Sequence, residues 1–228
     1  SGENIASRWS EAKKEMILKS RLDATTTLVN AISTLKHPPK VLVNASAIGY
    51  YGSRGDEKVD EKSPPGTGFL AEVCREWEKG ASIASPRVVY LRTGVVLSKQ
   101  GGALAKMLLP FKLGLGGIVG DGKQWMSWIS IDDHIRAVEY VIEHEVKGPV
   151  NAVSPDPVTN RAFTQTLGEV LHRPTMLPLP AFMVRLIFGQ MGEETLLSST
   201  RAVPTVLQQA GFTFKYPKLK EALEHLLK

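Results

Sequence analysis

The chain has 228 residues, a formal net charge of +5 and 43% hydrophobic residues. That length suffices for one α/β domain with a substantial core and a small appended lobe. The modest charge, without dense runs of Lys and Arg, argues against nucleic-acid binding. The sequence also contains no run of about twenty apolar residues, the length that would predict a membrane-spanning helix.

The first predicted element is a helix from Ser7 to Leu35. Its apolar residues recur on one face at spacings of three, four and seven, at Ile17, Ala24, Leu28, Ala31, Ile32 and Leu35. Ser10 suits the helix start, and the prolines after His37 end the helix. A short run rich in β-branched residues, Val41 to Ala45, then predicts a strand that is covered on both faces.

A second helix is predicted to begin at Phe69, after a polar loop. Its apolar positions are Phe69, Val73, Trp77, Ala81 and Ala84. The segment Arg87 to Leu91 predicts another buried strand. Helices that alternate with buried strands are typical of a parallel α/β sheet, which is therefore the predicted fold class.

The single cysteine, Cys74, cannot form an internal disulfide. This composition predicts a reducing compartment, the cytoplasm, and leaves an organelle matrix or stroma open. Because Cys74 lies between apolar positions of the second predicted helix, we expect a buried structural thiol rather than a nucleophile.

Beyond residue 101 the pattern loosens into a glycine-dense stretch. Asp133 is predicted to cap a helix from His134 to Glu143, with His134 on a solvated first turn and an apolar face made of Ile135, Val138 and Ile142. A pair of adjacent aspartates without a matching third ligand favours capping over metal binding, so no metal site is predicted.

The last part of the chain predicts a mostly helical lobe. Val150 to Val153 forms a further short strand, and Thr159 caps a helix that holds Phe163, Leu167 and Leu171. From Leu177 to the end, the pattern is mainly helical and interrupted by prolines. This region is therefore a small C-terminal lobe rather than a linker.

No Gly-x-Gly-x-x-Gly motif lies between a predicted strand and a predicted helix. A dinucleotide-binding fold needs such a turn so that backbone N–H groups and a helix N-terminus can hold the pyrophosphate. The opening residues, SGENI, are similar to the end of a strand-to-loop segment. We therefore expect the chain to begin inside a fold, without its N-terminal strands.

Several segments resemble, in order and spacing, the extended short-chain dehydrogenase/reductase superfamily. More narrowly, they resemble its atypical branch of epimerase family proteins, sometimes labelled cell-division inhibitors. The segments are SGEN (Ser1 to Asn4), SAIGYYG (Ser46 to Gly52), DEKSPPG (Asp60 to Gly66), RTGVVL (Arg92 to Leu97) and GDGKQWMSWISIDD (Gly120 to Asp133). The resemblance covers nearly the whole chain.

The resemblance implies a Rossmann-like parallel sheet with a small, mostly helical substrate lobe. Residues 1–100 would form a partial dinucleotide-binding domain, and residues 101–228 a substrate and C-terminal lobe interleaved with it. It further implies binding of NADP or NAD, with NADP slightly preferred, and hydride transfer to an unidentified small carbonyl or nucleotide-sugar-like substrate. A homodimer is left open.

The superfamily's Tyr-x-x-x-Lys pair is absent, because Phe69 and Val73 occupy its two positions. Neither side chain can transfer a proton. Three functions therefore stay open: an epimerase or reductase with a nonstandard proton donor, a catalytically inactive dinucleotide sensor or regulatory protein, and an interaction protein whose C-terminal lobe recognises a protein partner.

Ser46 and Tyr51 are the predicted catalytic residues. Ser46 lies one position from the superfamily's serine site, which is occupied by Ala47 here. Its hydroxyl would form a hydrogen bond to the substrate oxygen. The alternative is that this hydroxyl, at the end of a strand, forms hydrogen bonds with backbone groups only. Tyr51 would supply the lost phenol, but a packing tyrosine is the alternative, since no nearby lysine lowers its pKa from about 10.

The resemblance also assigns binding residues. The predicted cofactor-binding residues are Gly2, Glu3, Asn44, Ala45, Ser46, Arg92, Thr93, Gly94 and Val95. The predicted substrate-binding residues are Tyr51, Gln124, Trp125 and Trp128. Alternatives stay open for four of these: Arg92 as a structural ion-pair residue, Gly94 as a plain turn glycine, and the two tryptophans as packing between lobes.

Overall fold

The computed structural model describes residues 2–84 and 86–228. Its helices are α1 (Glu11–Ser33), α2 (Phe69–Ala81), α3 (Gly102–Lys112), α4 (Ile131–Glu143), α5 (Asn160–Leu171), α6 (Ala181–Phe188), α7 (Gln190–Thr195), α8 (Thr205–Gln209) and α9 (Leu219–Leu227). Its strands are β1 (Val41–Ala47), β2 (Lys58–Val59), β3 (Arg87–Thr93), β4 (Val95–Leu97), β5 (Trp125–Met126), β6 (Trp128–Ser130), β7 (Gly148–Ala152), β8 (Val158–Thr159) and β9 (Arg201–Ala202). Among the described residues, no helix combines the length and the apolar character needed to cross a membrane.

The central sheet is parallel, in the order β1-β3-β7. Successive residues of β3 point to opposite faces. Val89 and Leu91 pack with α4 and α8, whereas Val88 and Tyr90 pack with α1 and α2. Helices therefore cover both faces of the sheet, and the predicted α/β class is confirmed. Within residues 2–84 and 86–228, β1 is paired along one edge only.

Two short strand pairs join the C-terminal part of the chain to the segments that follow β1 and β3, and a third pair lies within the C-terminal part. Strand β9 runs parallel to β2, β6 runs parallel to β4, and β8 runs antiparallel to β5. A second core lies between α3, α5 and α9, and its largest fully buried side chain is Trp128. The predicted helical lobe is thus attached to the loops that follow β1 and β3.

Helix α1 starts later than predicted and buries a different face. It begins after Ser10, whose Oγ accepts a hydrogen bond from the backbone N–H of Lys13 at 3.2 Å. The buried positions are Ile17, Thr25, Val29 and Ile32, whereas Leu28 and Leu35 are about half exposed, so their predicted burial is wrong. The indole of Trp77 on α2 donates to Thr25 Oγ1 at 3.0 Å, which sets the face that α1 presents to α2.

Helix α2 begins at Phe69 as predicted and ends at Ala81, three residues before the predicted end. Cys74 is buried, and burial raises the pKa of its thiol to about 11. The predicted burial is confirmed, and a thiol with a raised pKa is neutral at physiological pH, as expected for a structural cysteine.

Asp133 does not cap α4, contrary to the prediction. The cap is Ser130, whose Oγ accepts from the N–H of Asp133 at 3.1 Å, and the helix begins at Ile131. The carboxylate of Asp133 is fully buried and accepts from the backbone N–H groups of Lys215 and Tyr216, both at 2.8 Å. Asp133 therefore ties the segment before α9 to the start of α4.

The predicted apolar face of α4 is also wrong in part. Ile135 and Ile142 are about half exposed, and Ala137 and Val141 are fully buried against the sheet. Small side chains at the contact let the helix approach the strands closely. Helix α5, in contrast, starts as predicted, since Thr159 Oγ1 accepts from the N–H of Ala162 at 3.3 Å.

Replacing the buried carboxylate, Asp133→Ala, is expected to lower the free energy of unfolding by about 3 kcal/mol, because the N–H groups of Lys215 and Tyr216 and the Arg136 guanidinium lose their acceptor. Asp132→Ala serves as the matched control, since Asp132 is part-exposed and, among residues 2–84 and 86–228, forms an ion pair with His225 alone, so its loss should stay below about 1 kcal/mol. Urea unfolding measures both variants. Equal losses for the two variants would show that Asp133 has no special structural role.

Candidate functional site

A cavity of about 600 Å³ opens where β1 and β3 end. The loop after β1 contributes Ile48, Gly49, Gly52 and Ser53, and the end of β3 contributes Thr93. The opposite wall comes from the C-terminal part of the chain, between Glu193 and Thr200. Ligands of open parallel sheets bind outside the carboxyl ends of the strands, so this cavity is the candidate site.

The turn that follows β3 contributes three predicted cofactor residues, Thr93, Gly94 and Val95, to the cavity wall. A Cβ on Gly94 would lie 2.5 Å from the carbonyl oxygen of Ser127. Glycine is therefore required at position 94 by the protein's own packing. The Val95 N–H also donates to the Ser127 carbonyl, at 2.9 Å, so the turn is held from two sides.

Below the cavity, a buried ion pair joins α2 to β3. Arg92 donates from Nε to Glu78 Oε1 and from Nη2 to Glu78 Oε2, each at 2.8 Å. The two side chains are only 4% and 11% exposed. Burial is the largest single influence and would lower the pKa of Arg92, but the hydrogen bonds to Glu78 and Tyr51 and their charges together outweigh it and raise that pKa above its ordinary value. Arg92 therefore forms the ion pair that the structural alternative supposes, and its role as a cofactor ligand stays a prediction.

Both predicted catalytic hydroxyls bond to this pair. Ser46 Oγ donates to Glu78 Oε1 at 2.7 Å, and the Tyr51 hydroxyl accepts from Arg92 Nη1 at 3.0 Å. The Arg92 guanidinium also lies 3.5 Å from the centre of the Tyr50 ring. Neither Ser46 nor Tyr51 is among the described residues that line the cavity. Their catalytic assignment stays a prediction.

Tyr51 is fully buried, as the packing alternative supposes. Its hydroxyl donates to Asn151 Oδ1 at 2.8 Å, and so connects the ion pair to β7. Burial raises the pKa of Tyr51 to about 12, against the opposing influence of Arg92. The phenol is therefore protonated throughout the physiological range.

Glu78 is not among the residues predicted from the sequence, although its spacing carried a signal. Glu78 follows Ala71 by seven residues and Cys74 by four, and Ala81 follows it by three. That spacing places a carboxylate within the apolar stripe of α2. A charge in such a position has to be paired inside the protein. Its partner could not be identified from sequence, because it lies on a different element.

Phe69 and Val73, which replace the Tyr and Lys, are both packed. The Phe69 ring meets Trp9 edge to face with 5.1 Å between ring centres, and Val73 is buried. The N–H groups of Phe69 and Leu70 donate to the carboxylate of Glu194, at 3.1 and 2.8 Å. A side-chain carboxylate from the C-terminal part of the chain thus lies at the N-terminus of α2. Local sequence patterns do not reveal this contact, because the two segments are about 125 positions apart.

The remaining predicted cofactor residues lie away from the cavity wall. Gly2 and Glu3 precede α1 and pack on it, with the Glu3 N–H donating to Ser20 Oγ at 2.9 Å. Asn44 is buried within β1 and donates from its amide to the Ala45 carbonyl at 3.0 Å, while Ala45 is exposed. Their role as cofactor ligands remains a prediction.

Of the three predicted substrate residues after Gly120, Trp125 lines the cavity. Its indole donates to Asp56 Oδ1 at 2.8 Å. Trp128 is fully buried in the second core, in agreement with the packing alternative. Gln124 is buried as well, and its amide donates to the carbonyls of Val119 and Leu196 at 3.0 Å.

The acidic residues on the first turn of α4 have partners within the protein. In the part of the chain that the structure describes, no group of three or more His, Cys, Asp or Glu side chains could hold a metal ion. Asp132 pairs with His225 at 3.3 Å, while Asp133 accepts backbone hydrogen bonds. His134 is half-buried rather than solvated as predicted, and burial lowers its pKa.

Two family models match the chain. Residues 2–153 match the NAD dependent epimerase/dehydratase family. Residues 179–226 match a domain of unknown function, DUF1731. The second match covers most of the opposite cavity wall.

Individual proteins and structures are also similar to the chain. An epimerase family protein of Mycobacterium bovis is 45% identical over 227 residues, which are 97% of this chain and 75% of that protein. The crystal structure of human epimerase family protein SDR39U1 with NADPH has 36% identity and a TM-score of 0.94, covering 99% of this chain and 78% of that one. A nucleoside-diphosphate sugar epimerase from Corynebacterium glutamicum has 36% identity and a TM-score of 0.77, covering 97% and 44%.

The raised pKa of Tyr51 predicts a pH-dependent stability. The folded-state pKa of about 12 exceeds the unfolded value near 10. The stabilising contribution of the Tyr51 phenol to the free energy of unfolding is therefore present below pH 10 and is lost as the pH rises toward 12. The difference in unfolding free energy between the native protein and Tyr51→Phe should therefore fall by about 2 kcal/mol between pH 9 and roughly pH 11.5.

Urea unfolding of both proteins across this pH range checks the prediction. Tyr216→Phe controls for the general effect of removing a phenol, because Tyr216 is less buried. A native-minus-Tyr51→Phe difference that does not change with pH would contradict the buried, protonated state of Tyr51.

Proposed function

Because the chain belongs to the NAD-dependent epimerase/dehydratase family, we propose that it binds a nicotinamide dinucleotide, NADP(H) in preference to NAD(H). In this proposal it transfers a hydride between the cofactor and a small carbonyl or hydroxyl substrate in the cavity. The observation that carries it is the turn at Thr93 to Val95, which lies on the cavity wall at the carboxyl end of β3. The similar human protein was crystallised with NADPH.

The cavity fits the nicotinamide end of such a cofactor. Its volume falls within the range of small-molecule sites. Ile48, Val96 and Met107 supply an apolar wall for a flat ring, while Thr93 adds a hydroxyl. When bound, the cofactor would supply or accept the hydride. The residues of this chain bind and orient the reactants and exclude water from them.

Proton exchange at the substrate oxygen cannot use Phe69 or Val73. Hydroxyl groups on the cavity wall, among them those of Ser53 and Thr93, are positioned to exchange a proton with the substrate or with water. Ser46 and Tyr51 act in this proposal as positioning residues, since they bond to the ion pair that holds the end of β3.

The compartment and the assembly also belong to the proposal. A free, buried cysteine suits the reducing cytoplasm, or an organelle matrix or stroma. A small-molecule substrate is the expected partner. Measurement of the molecular mass in solution decides whether two copies of the chain form a homodimer.

Filling the cavity with Thr93→Phe is expected to weaken NADPH binding at least about tenfold, because a phenyl ring would occupy the space of the nicotinamide. Thr213→Phe is the matched control, since Thr213 is exposed and distant in sequence from the cavity residues. Titration followed by NADPH fluorescence measures both in chains extended N-terminally to include a glycine turn for the pyrophosphate, since residues 1–228 contain no Gly-x-Gly-x-x-Gly motif between a strand and a helix. Circular dichroism verifies that both variants fold. Equal affinities for the two variants would exclude this cavity as the cofactor site.

Turnover is measured separately, by the loss of nicotinamide absorbance with a panel of aldehydes and ketones. The proposal expects oxidation of NADPH with at least one neutral carbonyl compound. Tight NADPH binding without turnover of any compound would contradict the catalytic part and favour a sensor.

A further inference from the structure

The cavity wall that matches the domain of unknown function carries a carboxylate, Glu194. We infer that Glu194 determines substrate specificity: it accepts a hydrogen bond from a neutral, hydroxyl-bearing substrate and disfavours anionic ones. This inference rests on the proposed function, because it concerns the substrate side of the same cavity.

Glu194 is held in place by three neutral donors. Its Oε1 accepts from the Phe69 N–H at 3.1 Å and from the Gln190 amide at 2.8 Å, and its Oε2 accepts from the Leu70 N–H at 2.8 Å. A carboxylate offers about four acceptor positions, so one remains on Oε2. A substrate hydroxyl can occupy that position.

The close fit at the N-terminus of α2 depends on Gly68. Its φ of +105° lies in the region that favours glycine, and a Cβ there would come within 3.2 Å of Glu194 Oε2. Glycine thus leaves room for the carboxylate and for a ligand beside it.

The charge of Glu194 has no cationic partner in the described part of the chain. The neighbouring Glu193 is different, because Arg185 contacts both of its oxygens, at 2.6 and 3.4 Å. The α2 N-terminus offsets part of the Glu194 charge. The carboxylate nevertheless presents a negative charge to the cavity, which repels a carboxylate or phosphate on a substrate.

Hydrogen bonds to the loop after β1 fix the wall that carries Glu194. The Ser199 N–H donates to Ser53 Oγ at 3.1 Å, and Thr200 Oγ1 donates to the Gly52 carbonyl at 2.9 Å. Two anchors of this kind keep the carboxylate in one position relative to the end of β1. A fixed charge discriminates between ligands more strongly than a mobile one.

The test compares the binding of benzyl alcohol and benzoate, two ligands of similar shape that differ in charge and in the hydroxyl donor. Both are titrated against the full chain without cofactor and followed by protein NMR, so the result does not depend on hydride transfer. We expect benzyl alcohol to bind about tenfold more tightly than benzoate. Equal affinities, or tighter binding of benzoate, would overturn the inference.

Three variants separate charge from structure. Glu194→Gln is expected to reduce the preference to within about twofold, whereas Glu194→Asp should retain most of it. Glu72→Gln removes the same charge from an exposed position on the first turn of α2 and should keep the native preference. A full preference in Glu194→Gln, or its loss in Glu72→Gln, would overturn the inference.

A crystal structure with benzyl alcohol keeps the inference testable if Glu194→Gln fails to fold. The ligand hydroxyl is expected within hydrogen-bond distance of Glu194 Oε2, and a ligand placed elsewhere would overturn the inference. Failure of the proposed function has a different signature, namely that the native protein does not bind NADPH while its preference for benzyl alcohol persists.

Discussion

The ion pair between Glu78 and Arg92 is the constraint on which the site depends. Removing two charges from water is costly, and the cost is offset only when geometry and additional hydrogen bonds satisfy both groups. Here the guanidinium meets both carboxylate oxygens, and Ser46 and Tyr51 add hydroxyl contacts. The pair therefore locks α2, β1 and β3 into one arrangement at the end of the sheet.

This arrangement determines what the cavity can hold. The loop after β1 and the turn after β3 form one wall, and the C-terminal part of the chain forms the other. Glu194 connects the C-terminal wall to helix α2, because its carboxylate accepts hydrogen bonds from the first two residues of that helix. The helix that lacks the tyrosine and lysine is thus held at one end by Glu194 and near the other by Glu78.

Much of the fold could be predicted from the sequence, because local patterns determine it. The start of α2 and the cap of α5 follow from apolar spacing and a single threonine. The faces of α1 and α4 could not be predicted reliably, since they depend on which neighbour each helix meets. Ile135 shows the difficulty: it continues an apolar pattern and yet lies about half exposed.

The site was predictable to a lesser degree. The turn from Thr93 to Val95 was found through its resemblance to a known pattern, and it lies on the cavity wall. The partners of Glu78 and Glu194 could not be found, because each pairing joins residues that are distant in sequence. Tertiary structure alone brings them together.

Glu78→Gln tests most directly whether one buried ion pair supports the site. We expect the free energy of unfolding to fall by about 3 kcal/mol, because Arg92 is left buried without its counter-ion, and NADPH binding to weaken as the end of β3 loosens. Glu76→Gln, on the part-exposed face of α2, should change neither quantity appreciably. Native stability and native NADPH affinity in Glu78→Gln would contradict the account.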